Sequence, residues 1–220
     1  MAHDVDGPVW TIVVGAGSGA RFGGLKQYET LGDERVIDRS VAVARSVCDG
    51  VVIVVPAADA EREGGVAGGA TRSDSVRAGL AAVPADAGVI CVHDAARPFA
   101  SAALFRSVIA AVRAGADGAV PGVPVTDTIK VTTAAADGTV RVASTPDRST
   151  LVAVQTPQAF AASALRAAHA ASVVSGSPAT DDAMLLEASG ADVVVVPGDA
   201  DNRKITTPDD LEWARAMVAR

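Results

Sequence analysis

The sequence predicts an α/β domain in which a mostly parallel sheet is covered by helices on both faces. Three observations carry that expectation. Short β-branched apolar runs alternate with alanine-rich stretches of helical length along the chain. The runs are near-continuously apolar, the pattern of strands buried on both sides. Several helical stretches open on caps and first-turn acids, which sets them apart from the runs.

Taken in order, the first strand is Val9–Val14, which leads straight into a glycine-rich segment. A helix is expected over Ile37–Val47, then a second strand at Val51–Val55, stopped by Pro56. A loop, Gly68-Gly69-Ala70-Thr71-Arg72-Ser73-Asp74-Ser75, introduces a helix over Ser73–Val83. The third strand is Val89–Val92, and Ser101 caps a helix over Ala102–Ala114. A short strand follows at Ala119–Pro121.

From Thr128 to Ser144 the pattern changes to Ile129 and Val131, then Asp137-Gly138, then Val140 and Val142. That is a two-stranded hairpin with an Asp-Gly turn. Alone it would be marginal in water, so it is expected to pack on something, most naturally a second copy of the chain.

Beyond it come a strand at Leu151–Val154, a helix over Ala161–Val173 and a helix over Asp181–Ala188 with Thr180 as cap. A strand at Val193–Val196 precedes the last helix, Asp209–Val218. There Thr207-Pro208-Asp209-Asp210 supplies an N-cap, a first-turn proline and acids at the positive end of the dipole.

Length and composition narrow the function. The 220 residues suit one domain, residues 1–220, and no internal linker divides them. At 49% hydrophobic and 20% charged the chain is too apolar for disorder. Its longest apolar runs are far too short to cross a bilayer. The start, Met-Ala-His-Asp-Val-Asp-Gly, has neither a basic segment nor an apolar core, so no secretion signal is expected. Cys48 and Cys91 lie inside apolar segments, which fits buried thiols in a reducing cytoplasm. A net charge of -7 disfavours nucleic acid as the partner. A small phosphorylated ligand is compatible with that charge where a few cations converge. The only lysines are Lys26, Lys130 and Lys204, each in or beside a motif-like segment.

The chemistry-bearing segments follow the strands. Gly15-Ala16-Gly17-Ser18-Gly19-Ala20-Arg21 and onward to Lys26 is built to let backbone amides approach a phosphate. It also fits a relaxed dinucleotide fingerprint, and an NAD(P)-dependent oxidoreductase is the rival from another class. Two cations within the loop, and Pro56 where a ribose-binding acid would stand, argue against that rival. His93-Asp94-Ala95-Ala96-Arg97-Pro98 lies past the carboxyl end of the third strand, where open α/β sheets bind ligands. Asp94 is a candidate to hold magnesium or a ligand hydroxyl, and Arg97 a phosphate. His93 reads as a packed histidine. Near the end, Gly198-Asp199-Ala200-Asp201-Asn202-Arg203-Lys204 mixes acids with a lysine, as metal and phosphate contacts would require.

Read as an ordered set, these segments resemble the 2-C-methyl-D-erythritol 4-phosphate cytidylyltransferase family. The set comprises the glycine loop with Arg21 and Lys26-Gln27-Tyr28, then Arg72-Ser73-Asp74-Ser75-Val76, His93 to Pro98 and Asp127-Thr128-Ile129-Lys130. It continues through Thr156-Pro157-Gln158, Thr180-Asp181-Asp182 and Asp201-Asn202-Arg203-Lys204-Ile205-Thr206. The resemblance implies a three-layer Rossmann-like nucleotidyltransferase fold with a projecting β-hairpin arm at about 124–150 that forms a homodimer. It implies transfer of CMP from CTP to a sugar-alcohol phosphate, 2-C-methyl-D-erythritol 4-phosphate, with Mg2+, in non-mevalonate isoprenoid synthesis.

By the same resemblance, Gly15, Ala16, Gly17, Gly19, Gly69 and Ser75 hold the nucleotide, with Arg21 and Lys26 stabilising its phosphates. Asp94, Arg97, Thr128 and Thr156 line the acceptor and metal region. Arg148 and Lys204 position the acceptor phosphate, Arg148 from across the dimer. Leu25 stands where the family usually has proline, and Ala70 where an acid is common. A ribitol 5-phosphate cytidylyltransferase is the near alternative, disfavoured by Ala95-Ala96 and by Asp147-Arg148 eight residues before Thr156. A non-catalytic nucleotide-binding relative is the remaining one.

Overall fold

A computed structural model of the chain describes residues 3–175 and 179–219. In chain order its strands are β1 (Val9–Val14), β2 (Thr30–Leu31), β3 (Glu34–Arg35), β4 (Gly50–Val55), β5 (Val66–Ala67) and β6 (Val89–Asp94). Then come β7 (Gly118–Pro124), β8 (Val131–Ala134), β9 (Val140–Ser144), β10 (Val152–Val154), β11 (Gln158–Ala161) and β12 (Val193–Pro197). The helices are α1 (Val36–Arg45), α2 (Arg72–Ala82), α3 (Ala102–Arg113), α4 (Ala162–Ser175), α5 (Asp182–Glu187) and α6 (Pro208–Val218).

The main sheet has the order β10-β7-β11-β6-β1-β4-β5, with β12 also paired to β7. β1 runs parallel to β4 and β6, β4 to β5, and β7 to β12. Apolar side chains leave both faces of this sheet, so each face needs a helical cover. On one side Ile37 and Val41 of α1 and Phe105, Val108 and Val112 of α3 pack on Val13 and Cys91. On the other, Val76 and Leu80 of α2, Leu165 of α4 and Leu186 of α5 pack on Ile12, Val54 and Ile90. Burying each such side chain contributes about 1.5–3 kcal/mol. The expected α/β class with a mostly parallel sheet is what forms.

Several details differ from the expectation, among them the short strands β2, β3 and β5, which no apolar run marks. β11 is not predicted, because Gln158-Ala159-Phe160-Ala161 has no β-branched residue and a single bulky apolar one. It lies antiparallel between β6 and β7, and all four of its residues are buried. The segment at 152–154 is a strand, but it pairs antiparallel to β7. Among the caps, Thr207 and Ser101 act as expected, and Asp210 also closes a capping box with Thr207. At α5 the cap is Asp181 instead of Thr180: its carboxylate accepts from Met184 N and is held from below by Gln158 Nε2 at 2.8 Å.

The hairpin is present as β8 and β9, and both strands are exposed along their full length. Its turn is one residue longer than a two-residue Asp-Gly turn. Ala135 N donates to Thr139 O and Gly138 N to Ala135 O, enclosing Ala136, Asp137 and Gly138. Gly138 takes φ +81°, as the left-handed position of a three-residue hairpin loop requires.

Candidate functional site

The carboxyl ends of β1 and β6 open onto a cavity of about 470 Å³. One wall is the glycine loop. Gly15 N donates to Val54 O at 2.7 Å, which holds the loop against the sheet as it leaves β1. Further on, Phe22 N and Gly23 N both donate to Gly19 O, closing a tight turn. Gly19 has φ +65°, and a side chain there would run into the carbonyl of Gly24. The chain then enters a 3-10 turn, Lys26–Tyr28, which brings Lys26 back to the cavity.

Tyr28 anchors that turn by donating its hydroxyl to Asp59 Oδ2 at 2.9 Å. Burial, and then the hydrogen bond to Asp59, raise the phenol to about 12. In the unfolded chain a tyrosine ionises at about pH 10. A group whose folded value is raised stabilises fully below its unfolded value and ceases to do so as pH rises through the folded one. The urea midpoint should therefore fall as pH rises from about 10 to about 12, and Tyr28→Phe should lack that part of the slope. Superimposable pH curves for the two proteins would clear Tyr28 of this role.

The second wall is the start of α2. Thr71 and Asp74 form a capping box that fixes the first helical residue at Arg72. Ser75 Oγ donates to Thr71 O and accepts from Gly69 N, so its hydroxyl braces the loop from which Gly69 faces the cavity. Gly68 packs against Ala16 and Ser75, leaving no room for a side chain where the two loops meet.

The floor is the end of β6. Asp94 Oδ2 accepts from Lys204 Nζ at 2.6 Å and Oδ1 from Arg72 Nε at 3.3 Å. Burial alone would push this carboxyl up, but attraction to Arg72 and Lys204 outweighs it and holds Asp94 far below the usual carboxylate range. Its backbone is fixed from behind. Asp94 N donates to Thr156 Oγ1 at 3.0 Å, and Thr156 Oγ1 lies 3.2 Å from His93 Nδ1. His93 Nε2 faces the Arg97 carbonyl, so Nε2 carries the proton and Nδ1 accepts from Thr156. Burial lowers His93 to about 4, keeping it neutral. It is the packed histidine its sequence context suggests.

Three cations converge at this place. Burial, then repulsion from Lys204 and Arg21, lower the Lys26 ammonium below its ordinary value, against the pull of Asp94. Arg72 is pushed upward by Asp182 and Asp94 despite its burial. In a chain of net charge -7, such a cluster is a local reversal of sign suited to a polyanion.

Of the residues singled out from the sequence, Gly15, Ala16, Gly17, Lys26, Gly69, Ser75, Asp94 and Lys204 line the cavity. Gly19 and Arg21 lie in the outer turn of the glycine loop, and Thr156 sits beneath Asp94. Arg97 does not line it. Its Nη1 donates to Asn202 O at 2.7 Å and its Nη2 to Val154 O at 3.4 Å, stapling the loop before Lys204 to β10. Arg148 stands at the base of the arm, exposed, with Nη1 on Thr126 O at 2.8 Å, and Thr128 is exposed nearby in sequence.

Asp199 and Asp201 also stay away from the cavity, contrary to the metal reading of their segment. Asn202, wholly buried, donates to Thr156 O while Gln155 bonds the Asp199 backbone, so this loop serves to aim Lys204. Arg72 is a site residue that the sequence reading does not single out. A signal for it exists: an arginine in the first turn of a helix opposes the dipole and needs nearby carboxylates.

The family described as IspD, 2-C-methyl-D-erythritol 4-phosphate cytidylyltransferase, matches residues 9–220. A bifunctional enzyme IspD/IspF of Anaeromyxobacter dehalogenans (strain 2CP-C) is 49% identical over 94% of this chain and 56% of its own length. The chain thus spans about half the length of the first relatives it matches. A 2-C-methyl-D-erythritol 4-phosphate cytidylyltransferase of Nocardia farcinica (strain IFM 10152) is 44% identical over 99% of this chain and 96% of its own. Among solved structures, the 4-diphosphocytidyl-2C-methyl-D-erythritol synthase of Anaerococcus prevotii DSM 20548 superimposes with a TM-score of 0.84, at 30% identity over 98% of both chains. The 2-C-methyl-D-erythritol 4-phosphate cytidylyltransferase of Thermus thermophilus gives 0.80 at 31% identity, covering 95% of this chain and 98% of that one.

Proposed function

Because the chain belongs to the 2-C-methyl-D-erythritol 4-phosphate cytidylyltransferase family, we propose that it transfers the cytidylyl group of CTP to 2-C-methyl-D-erythritol 4-phosphate. The products are 4-diphosphocytidyl-2-C-methyl-D-erythritol and pyrophosphate. The observation that carries this is the cavity itself, where Lys26, Arg72 and Lys204 face one carboxylate beside the glycine loop.

An oxygen of the acceptor's phosphate attacks the α-phosphorus of CTP, and the bond to the β-phosphate oxygen breaks as pyrophosphate leaves. The attacking oxygen is already anionic, so no side chain has to take a proton. What the protein supplies is the approach of two anions and relief of charge on the α-phosphate oxygens. Gly15, Ala16 and Gly17 offer the triphosphate a close backbone surface, while Lys26 and Lys204 supply positive charge. Arg97 and Thr156 act from behind by keeping Lys204 and Asp94 in place.

Magnesium fits this site as an ion carried by the nucleotide. Among the described residues Asp94 is the one carboxylate lining the cavity, and no group of three metal-binding side chains is found. Asp94 would hold the ion together with triphosphate oxygens, where it would neutralise phosphate charge.

The arm is assigned to a homodimer, with residues 1–220 as one catalytic unit and the arm at about 124–150. Val131, Val140 and Val142 are 47%, 69% and 62% exposed on a two-stranded ribbon, which is marginal in water without a partner. Thr128 and Arg148 sit on the same projection, outside their own chain's cavity, and complete the acceptor site of the second copy. Val142→Glu should convert a dimer to a monomer in sedimentation velocity and depress turnover while the melting transition stays cooperative. A dimer of unchanged stability would remove the arm from the interface. The free thiols of Cys48 and Cys91 suit a reducing cytoplasm, and among the described residues no helix is long and apolar enough to cross a membrane.

The direct test is pyrophosphate release with CTP and magnesium over a panel of sugar-alcohol phosphates. Methylerythritol 4-phosphate should be preferred. Preference for ribitol 5-phosphate would reassign the acceptor, and silence with every acceptor would end the transferase reading.

A further inference from the structure

We propose that Asp182, braced by His169, is a positioning residue that sets the Arg72 guanidinium at the cavity for the nucleotide's phosphates. The proposal rests on the nucleotidyl-transfer reading above.

Asp182 lines no part of the cavity, and it is 1% exposed. A carboxylate at that depth is strongly unfavourable unless its oxygens are paired. Both are. Oδ2 accepts from Arg72 Nη1 at 2.7 Å, and Oδ1 from His169 Nε2 at 2.9 Å. The His169 ring is 2% exposed and its Nδ1 has no partner, so Asp182 is what its polar edge serves.

The carboxylate's own place is fixed. It is the first residue of α5, directly after Asp181, which caps that helix and is tied to β11 through Gln158. Three elements, α2, α4 and α5, therefore meet around one buried charge.

The consequence falls on Arg72. A guanidinium has five N–H donors in a rigid plane. Nε is used on Asp94 and one Nη1 hydrogen on Asp182, while Nη2 meets no acceptor among the described residues. Two carboxylates on one plane fix its orientation, leaving the unused donors for a ligand. With Asp94 alone, the side chain would pivot and compete with Lys204 for the same carboxylate. Asp182 thus shares out the charges: Asp94 Oδ2 is left to Lys204, Asp94 Oδ1 takes Arg72 Nε, and Arg72 Nη2 stays open.

The test compares wild type, Asp182→Asn, Arg72→Gln and the double variant, using calorimetric CTP binding in magnesium and steady-state kinetics. Losing one charge-assisted contact should weaken CTP binding roughly tenfold in Asp182→Asn, with the acceptor's KM changed by less than about twofold. In the Arg72→Gln background, Asp182→Asn should cost nothing further, because its effect passes through Arg72. CTP binding as tight as wild type in folded Asp182→Asn overturns the proposal, and so do effects that multiply in the double variant. If Asp182→Asn does not fold, His169→Phe removes the brace alone and should weaken CTP binding about threefold. An unchanged value in that variant overturns the proposal equally. A wild type that neither binds CTP nor releases pyrophosphate sinks the transferase reading, whereas an active wild type with insensitive variants sinks this assignment alone.

Discussion

Lys26→Ala is expected to lower the rate of pyrophosphate release at least on the order of a hundredfold, equivalent to about 3 kcal/mol of transition-state stabilisation. Lys26 lies half-buried beside Lys204 and within reach of Arg21, and their mutual repulsion is part of what depresses its ammonium. A polyphosphate in the cavity relieves that repulsion, and relieves it most as negative charge gathers on the α-phosphate oxygens. Contacts that strengthen in the transition state raise turnover more than they tighten binding. The loss should therefore appear mainly in kcat. The fold should be spared, because Lys26 forms no ion pair in the free protein among the described residues and its turn is held by backbone bonds and Tyr28. A cooperative melt like that of the wild type, paired with near-normal pyrophosphate release, would refute the assignment.

Asp94→Asn should be comparably severe, about a hundred- to a thousandfold in kcat/KM. Its carboxylate bridges Arg72 and Lys204 in the free protein and is the anion that makes the cluster of cations tolerable. Asparagine keeps the shape but removes the charge, so Lys204 loses its ion pair and Arg72 keeps only Asp182. The variant should also need more magnesium to reach half its maximal rate, since the carboxylate assigned to the ion is gone. Activity within about threefold of wild type at saturating magnesium would show that Asp94 plays no such part. The two variants separate by their magnesium dependence, which Lys26→Ala should leave unchanged.

Much of the architecture is legible from local pattern. Strands such as Val89–Val92 are apolar on both faces because both faces are covered, and that is written in consecutive residues. Caps such as Thr207 with Asp210 act over three residues, so they too can be read directly. The glycine loop is legible because a backbone that turns tightly at Gly19 needs glycine. β11 escapes because nothing local favours it: Gln158-Ala159-Phe160-Ala161 is a strand only because β6 and β7 leave a slot there.

The sequence by itself determined the alternation of the main strands and helices, the glycine-rich turn after β1, and the few cations scattered through an acidic chain. Only the tertiary structure decided who meets whom. Lys204 reaches Asp94, and Arg72 reaches Asp182, each across 110 positions of chain. Arg97 spends its donors on Asn202 and Val154, while Thr156 props the Asp94 backbone. Such pairings depend on the register of strands and the seating of helices, which set distances of a few ångströms between segments that no local periodicity relates.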